Sequence, residues 1–133
     1  MTFEEYLRSA PEDKRTELFD TIKYYGDPDE ILKEIALIPP SIQNKDKDVR
    51  VNQNYLLYHQ NKGFGRQAYS AIIAIKDIAY CYYGYEGSSF NNIGLLGNDG
   101  QVGEFNAGDR ETSLRVYRKL RSYVKGLEDM KAT

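Results

Sequence analysis

Tyr69-Ser70-Ala71-Ile72-Ile73-Ala74-Ile75-Lys76-Asp77-Ile78-Ala79-Tyr80-Cys81-Tyr82-Tyr83-Gly84-Tyr85 is the stretch that decides the fold class. Residues 69–75 and 78–85 are aromatic and β-branched runs, interrupted only by the polar pair Lys76-Asp77. Such residues fit a pleated, half-buried surface, so the two runs read as strands joined by a corner or tight turn.

The extended pattern continues on both sides. Upstream, Val49 and Val51, then Tyr55-Leu56-Leu57-Tyr58, read as strand, and Asn61-Lys62-Gly63-Phe64-Gly65 reads as a turn. Downstream, residues 91–96 and 101–105 flank Gly97-Asn98-Asp99-Gly100, a group suited to the positive φ of a hairpin turn. About six strands result. Gly94, Gly97, Gly100 and Gly103 recur every third residue, but no proline accompanies them and no helix opens after them. Turn-and-bulge glycines explain the run better than a phosphate cradle or a triple helix.

Helical periodicity brackets the strands. A capping box fits Thr2 to Glu5 and again Ser9 to Glu12, predicting two short helices, the second carrying Leu18, Phe19 and Ile22 and stopping at Gly26. Asp27-Pro28-Asp29-Glu30 combines a cap, a proline where no amide is needed and acids at the positive end of the dipole. A third helix follows, with Ile31, Leu32, Ile35, Ala36, Leu37 and Ile38 as apolar positions, and Pro39-Pro40 ends it. Residues 41–48, polar and alternately charged, read as the connection to the strands. After Gly108 and the cap Asp109, a last helix over about 110–127 places Val116, Tyr117, Leu120, Tyr123, Val124 and Leu127 on one arc.

The expected class is therefore α+β: three short N-terminal helices in residues 1–40, then a sheet closed by an amphipathic helix over 49–127, within one domain of 133 residues. Hydrophobic residues make up 41% and charged residues 29%, which excludes a disordered or fibrous chain. No run approaches the ~18 apolar residues of a membrane span. Cys81 is the only cysteine, which excludes an internal disulfide framework and fits a reducing, cytoplasmic setting in a microbe. Within its aromatic run it reads as a small buried hydrophobe.

Candidate chemistry is sparse. His59 is the only histidine, without the partners of a zinc set or a serine motif to make it a base, and reads as a strand-end residue on a hydrated surface. Acidic pairs Glu4-Glu5 and Asp29-Glu30 sit in first helical turns and read as dipole partners. No metal or cofactor is implied. Two surfaces stand out. The final helix carries Arg115, Arg118, Lys119, Arg121 and Lys125 away from its apolar arc, a cationic stripe suited to phosphates or an acidic partner. The turn containing Lys62, Phe64 and Arg66 joins two cations to an aromatic on flexible backbone, a combination able to hold an anion or touch a membrane surface. Residues 1–48 hold twelve acids against seven bases, a balance of -5, and residues 49–133 eight against eleven, a balance of +3; the whole chain is at -2. That total argues against a dedicated nucleic-acid binder.

Asn54-Tyr55-Leu56-Leu57-Tyr58, the segment Ile75-Lys76-Asp77-Ile78-Ala79-Tyr80 and the closing helix together resemble the pleckstrin-homology-like (PH-like) superfold, particularly its bacterial members. The resemblance covers residues 49–127 and implies an antiparallel sheet or half-open barrel plugged at one end by the helix. Lipid-binding members clasp an inositol phosphate with basic residues of the first hairpin. Lys62 and Arg66 would stand for these, and the next basic residue is replaced by Gln67, Ala68 and Tyr69. The favoured expectation is a non-catalytic interaction module that binds a protein, with homodimerisation through edge-strand tyrosines also open. An anionic-surface binder, of phospholipid or nucleic acid, and an enzyme with scattered catalytic groups are the alternatives.

Overall fold

The computed structural model describes residues 3–23, 25–61, 69–84, 92–100 and 102–124. The chain divides into two compact units, residues 1–50 with 55–72 and residues 51–54 with 73–133. The class is α+β with antiparallel sheets, as the patterning predicts.

The first unit contains α1 (Phe3–Ser9), α2 (Glu12–Ile22) and α3 (Pro28–Leu37). Its sheet has the order β1-β2-β3-β4, with β1 at Ile42–Gln43, β2 at Lys47–Val51, β3 at Tyr55–Gln60 and β4 at Tyr69–Ala74. Val51 and residues 73–74, at the ends of β2 and β4, count with the second unit. Asp27 caps α3 as expected: its Oδ1 accepts from the Asp29 amide at 3.0 Å, and Pro28 takes the first helical position. The second capping box does not form. Ser9 ends α1 instead, its hydroxyl donating to the Glu5 carbonyl at 2.9 Å, and the Pro11 carbonyl accepts the first amides of α2 from Lys14 and Arg15.

Phe3, Leu18, Ile22, Ile31, Ile35 and Ile38 from the helical segment pack on Leu57 and Ile72 from the sheet. Alternation along the strands puts Leu57 and His59 on one face of β3, Asp48 and Arg50 on one face of β2, and Ser70 with Ile72 on one face of β4. Leu37, expected on the apolar side of α3, is 83% exposed. Residues 41–48 are not a plain connection. Ile42–Gln43 pairs antiparallel with β2, Ile42 opposite Val49, around a turn in which Asn44 Oδ1 accepts from the Asp46 and Lys47 amides at 2.8 and 2.9 Å.

The second unit holds β5 (Ile78–Tyr83), β6 (Asn92–Gly97), β7 (Val102–Asn106) and α4 (Arg110–Tyr123). The sheet runs β5-β6-β7, antiparallel throughout. Ile78, Cys81, Ile93, Leu95 and Phe105 are buried, as are Val116, Leu120 and Val124, and α4 packs on β5 and β6. Asp109 caps α4, its Oδ1 accepting from the Thr112 amide at 2.7 Å.

The expected six strands are present and β1 is a seventh, but they do not make one sheet: the described strands form sheets of four and three, with no closed barrel. The break falls at Lys76-Asp77. There the chain makes a single 3-10 turn, Ile75–Asp77. The carbonyls of Lys76 and Asp77 are taken by the Asn98 side chain and amide at 2.8 and 2.9 Å.

Of the four periodic glycines, Gly100 lies in the β6-β7 turn with φ +85°. Gly94 has a different role. It is a mid-strand residue opposite Tyr82 and Glu104, and the Tyr82 ring lies where a Cβ would go. The Tyr82 hydroxyl donates to Glu104 Oε1 at 3.2 Å, which holds the ring there. Gly94→Ala must evict that ring, and overpacking of this kind costs about 1–3 kcal/mol. Urea unfolding is expected to show the loss, and Gly103→Ala, where an added Cβ meets open space, a smaller one.

Candidate functional site

Buried polar groups collect on the face of the first sheet toward α1. Arg50 is 3% exposed and Asp48 is fully buried, yet both carry charge, so each needs a complete set of partners. Arg50 Nε donates to Asp48 Oδ1 at 2.9 Å and Nη2 to Asp48 Oδ2 at 2.8 Å. Its outer edge meets Glu4, Nη1 to Oε1 at 2.6 Å and Nη2 to Oε2 at 2.8 Å. The remaining Nη1 hydrogen goes to the Ile35 carbonyl at 3.2 Å. A guanidinium has five N–H donors, and all five are used inside the chain.

Asp48 Oδ2 also accepts from the Phe3 amide at 3.0 Å and from Gln43 Nε2 at 3.2 Å. Burial opposes ionisation of Asp48, but the bonds from Arg50, Phe3 and Gln43 outweigh it and hold the carboxyl below its usual range. Arg50 holds Glu4 low as well, against a smaller opposing effect of burial. Burial works against the charge on Arg50, and the two carboxylates more than reverse that. The cluster thus ties α1 and α3 to β2. With its fork occupied, Arg50 has nothing to offer an external anion.

His59 is not on a hydrated surface: it is fully buried in β3. Its ring lies 4.8 Å from that of Tyr6 and 6.4 Å from that of Phe3, centroid to centroid. Nδ1 is 2.8 Å from Ser70 Oγ, and Nε2 is 2.7 Å from Asn61 Oδ1. Asn61 is itself fixed on the β1-β2 turn, through Nδ2 to the Lys45 carbonyl at 2.6 Å and its amide to the Asp46 carbonyl at 2.8 Å. Burial pushes the Tyr6 hydroxyl above its ordinary value, Lys14 pulling the other way.

No serine motif near His59 announces Ser70, because strand pairing between β3 and β4 brings it across eleven residues. The usable signal is alternation: positions 57, 59 and 61 share one face, and 70 and 72 complete it from the neighbouring strand.

On α4, Ser113, Val116, Leu120 and Val124 turn inward, while Arg115 and Arg118 are exposed. Lys119 and Arg121 are half-buried. Arg121 leans on the Tyr80 ring, its guanidinium carbon 5.9 Å from the centroid, and donates to the Val124 carbonyl at 3.3 Å. Tyr117, expected on the core arc, is half-buried, with its ring 5.9 Å from that of Tyr83. Burial and the Cys81 thiol raise the Tyr117 hydroxyl, while Arg121 lowers it. Cys81 itself is fully buried and its thiol is pushed up by burial. The stripe is therefore less uniform than its spacing suggests: two arginines stand out, and one is laid against tyrosines. Lys125 lies outside the described residues, as do Lys62, Phe64 and Arg66.

Among the described residues no group of three or more His, Cys, Asp or Glu could hold a metal ion, and no helix is long and apolar enough to cross a membrane. Comparison with protein-family models, with curated proteins and with solved structures returns no match to this chain.

Proposed function

We propose that the protein is an interaction module that binds an acidic segment of a partner protein on the outer side of α4 and the adjoining end of β5. The observation that carries this reading is the grouping of Tyr80, Tyr83, Tyr117 and Arg121, each half-buried, beside the exposed Arg118 and Arg115. Tyrosine and arginine are enriched where protein surfaces meet, because each gives a large contact area with a polar end. An arginine already stacked on a ring has lost part of its rotamer freedom before any partner arrives. Glu111 is the acid on the exposed side of this helix, and the cations outnumber it, which favours a carboxylate-bearing partner.

Kinship with the PH-like superfold remains part of this proposal, supported by the antiparallel strands followed by one amphipathic helix. A cytoplasmic setting belongs to it too, on the strength of a single, buried cysteine. The acidic-segment reading depends on neither.

A fluorescein-labelled oligoglutamate peptide provides the test, followed by anisotropy at low and physiological salt. Binding is expected to weaken at least tenfold in Arg115→Glu/Arg118→Glu, whose side chains are exposed, and severalfold in Tyr117→Ala. If both variants bind like the parent, the α4 surface is not the site. Tighter binding to an oligonucleotide or to anionic vesicles than to the peptide would replace the acidic-protein reading with an anionic-surface one.

A further inference from the structure

We propose that Ser70, His59 and Asn61 form an acyl-transfer relay in which Ser70 is an activated nucleophile toward carboxylic esters. This site lies in the first unit and goes beyond the α4 reading, on which it does not depend.

Hydrogen accounting assigns the roles. Asn61 Nδ2 donates to the Lys45 carbonyl, so Oδ1 is the end of the amide that faces His59. An amide oxygen only accepts, so Nε2 at 2.7 Å carries the ring proton. In this tautomer Nδ1 presents its lone pair to Ser70 Oγ at 2.8 Å, and the serine hydroxyl is the donor. Nucleophile, base and orienting group are thus linked in order at catalytic hydrogen-bond distances.

The relay is also held still. Asn61 is anchored twice to the β1-β2 turn, and the imidazole packs against Tyr6 and Phe3. His59 is fully buried while Ser70 and Asn61 are half-buried, so of the base and the nucleophile it is the serine that lies nearer solvent.

In the first step Ser70 Oγ bonds to the ester carbonyl carbon and its proton passes to His59 Nδ1, giving an imidazolium whose Nε2–H stays on Asn61. The tetrahedral adduct collapses, the bond to the alkoxy oxygen breaks, and that oxygen leaves as alcohol with the proton from Nδ1. Water then adds to the acyl-serine while Nδ1 takes its proton. Collapse frees the carboxylic acid and returns the proton to Ser70 Oγ. Ester and water become acid and alcohol, and no oxidant or reductant is needed.

The decisive experiment treats the full chain with a fluorophosphonate and maps modified serines by peptide mass spectrometry. Ser70 is expected to react at least tenfold faster than the exposed Ser9 and Ser122. Hydrolysis of p-nitrophenyl acetate is expected to show a stoichiometric burst that Ser70→Ala removes. Asn61→Ala, which leaves Ser70 and His59 in place, is expected to slow labelling of Ser70 at least tenfold. Labelling of Ser70 no faster than of Ser9 and Ser122 overturns the proposal, even if the parent shows slow ester hydrolysis. So does a burst that survives in Ser70→Ala.

Discussion

Arg50→Met is expected to lower the stability of the protein by about 3–5 kcal/mol at pH 7, because it removes the cation from a buried cluster and leaves Asp48 charged and enclosed. Urea unfolding reads this as a fall in the midpoint with little change in slope. Asp48, fully buried, carries most of the expected loss. The Glu4 side chain is 37% exposed, so solvent screens its share. Arg50→Lys separates charge from geometry. An ammonium restores the positive charge but cannot donate to Asp48, Glu4 and the Ile35 carbonyl in one plane, so a partial loss is expected. A loss below about 1 kcal/mol in the methionine variant would mean that the cluster behaves like a surface pair.

The pH dependence follows from the directions of the shifts. Asp48 and Glu4 have folded values below their ordinary ones. Their contribution is therefore present above the unfolded carboxylate range, about pH 4, and is lost as pH falls through the lower folded values. In Arg50→Met, burial acts on Asp48 without the guanidinium, so the variant gains relative stability on acidification. The gap between parent and variant should therefore narrow on acidification, first above about pH 4 as Asp48 takes up a proton in the variant, then below it as the parent loses its own contribution. A gap that widens toward acid would contradict the assignment of Asp48 as the ion in need of a partner.

Phe3→Ala is the second large effect expected, about 3–5 kcal/mol, typical of truncating a buried phenylalanine. Phe3 is buried in the core of the first unit and its ring faces His59. The seven residues of α1 are too few to be helical on their own in water, so tertiary contacts must supply their order. Phe3, Tyr6 and the Glu4–Arg50 pair are those contacts. Phe3→Leu keeps most of the volume and is expected to lose less than about 1.5 kcal/mol. Amide exchange should show α1 opening first in the alanine variant. Unchanged protection of α1 there would show that Phe3 is not what seats it.

These two residues also mark where local patterns stop being informative. Asp27 and Asp109 could be read as caps because the groups they bind lie two and three residues away. The six expected strands were legible for the same reason, since β-branched and aromatic runs act within a few residues. The role of Asp48 could not be read that way, because Phe3 and Glu4 lie more than forty residues from their partners in the cluster. In isolation Lys45-Asp46-Lys47-Asp48 looks like a solvated charge run. Position 50 held the clue, an arginine on the same side of the strand as Asp48. Ser70 beside His59 likewise needed the pairing of β3 with β4, and Gly94 needed the Tyr82 ring above it. On α4, spacing put Arg121 in one stripe with the exposed Arg115 and Arg118 but could not show that it lies against Tyr80, which belongs to another element.

The charged pair in β2 has a consequence for how the chain finds its alignment. Asp48 and Arg50 alternate with Val49 and Val51, and all four are buried, so the two sides of this strand are enclosed but chemically opposite. Sliding β2 by one residue against β1 or β3 would carry two ions to the valine side and set two valines against the Glu4 carboxylate. A strand with apolar residues on both sides could tolerate such a slip at modest cost. This one cannot, so the buried charges act as a key that admits a single alignment of the sheet, whatever they contribute to its net stability.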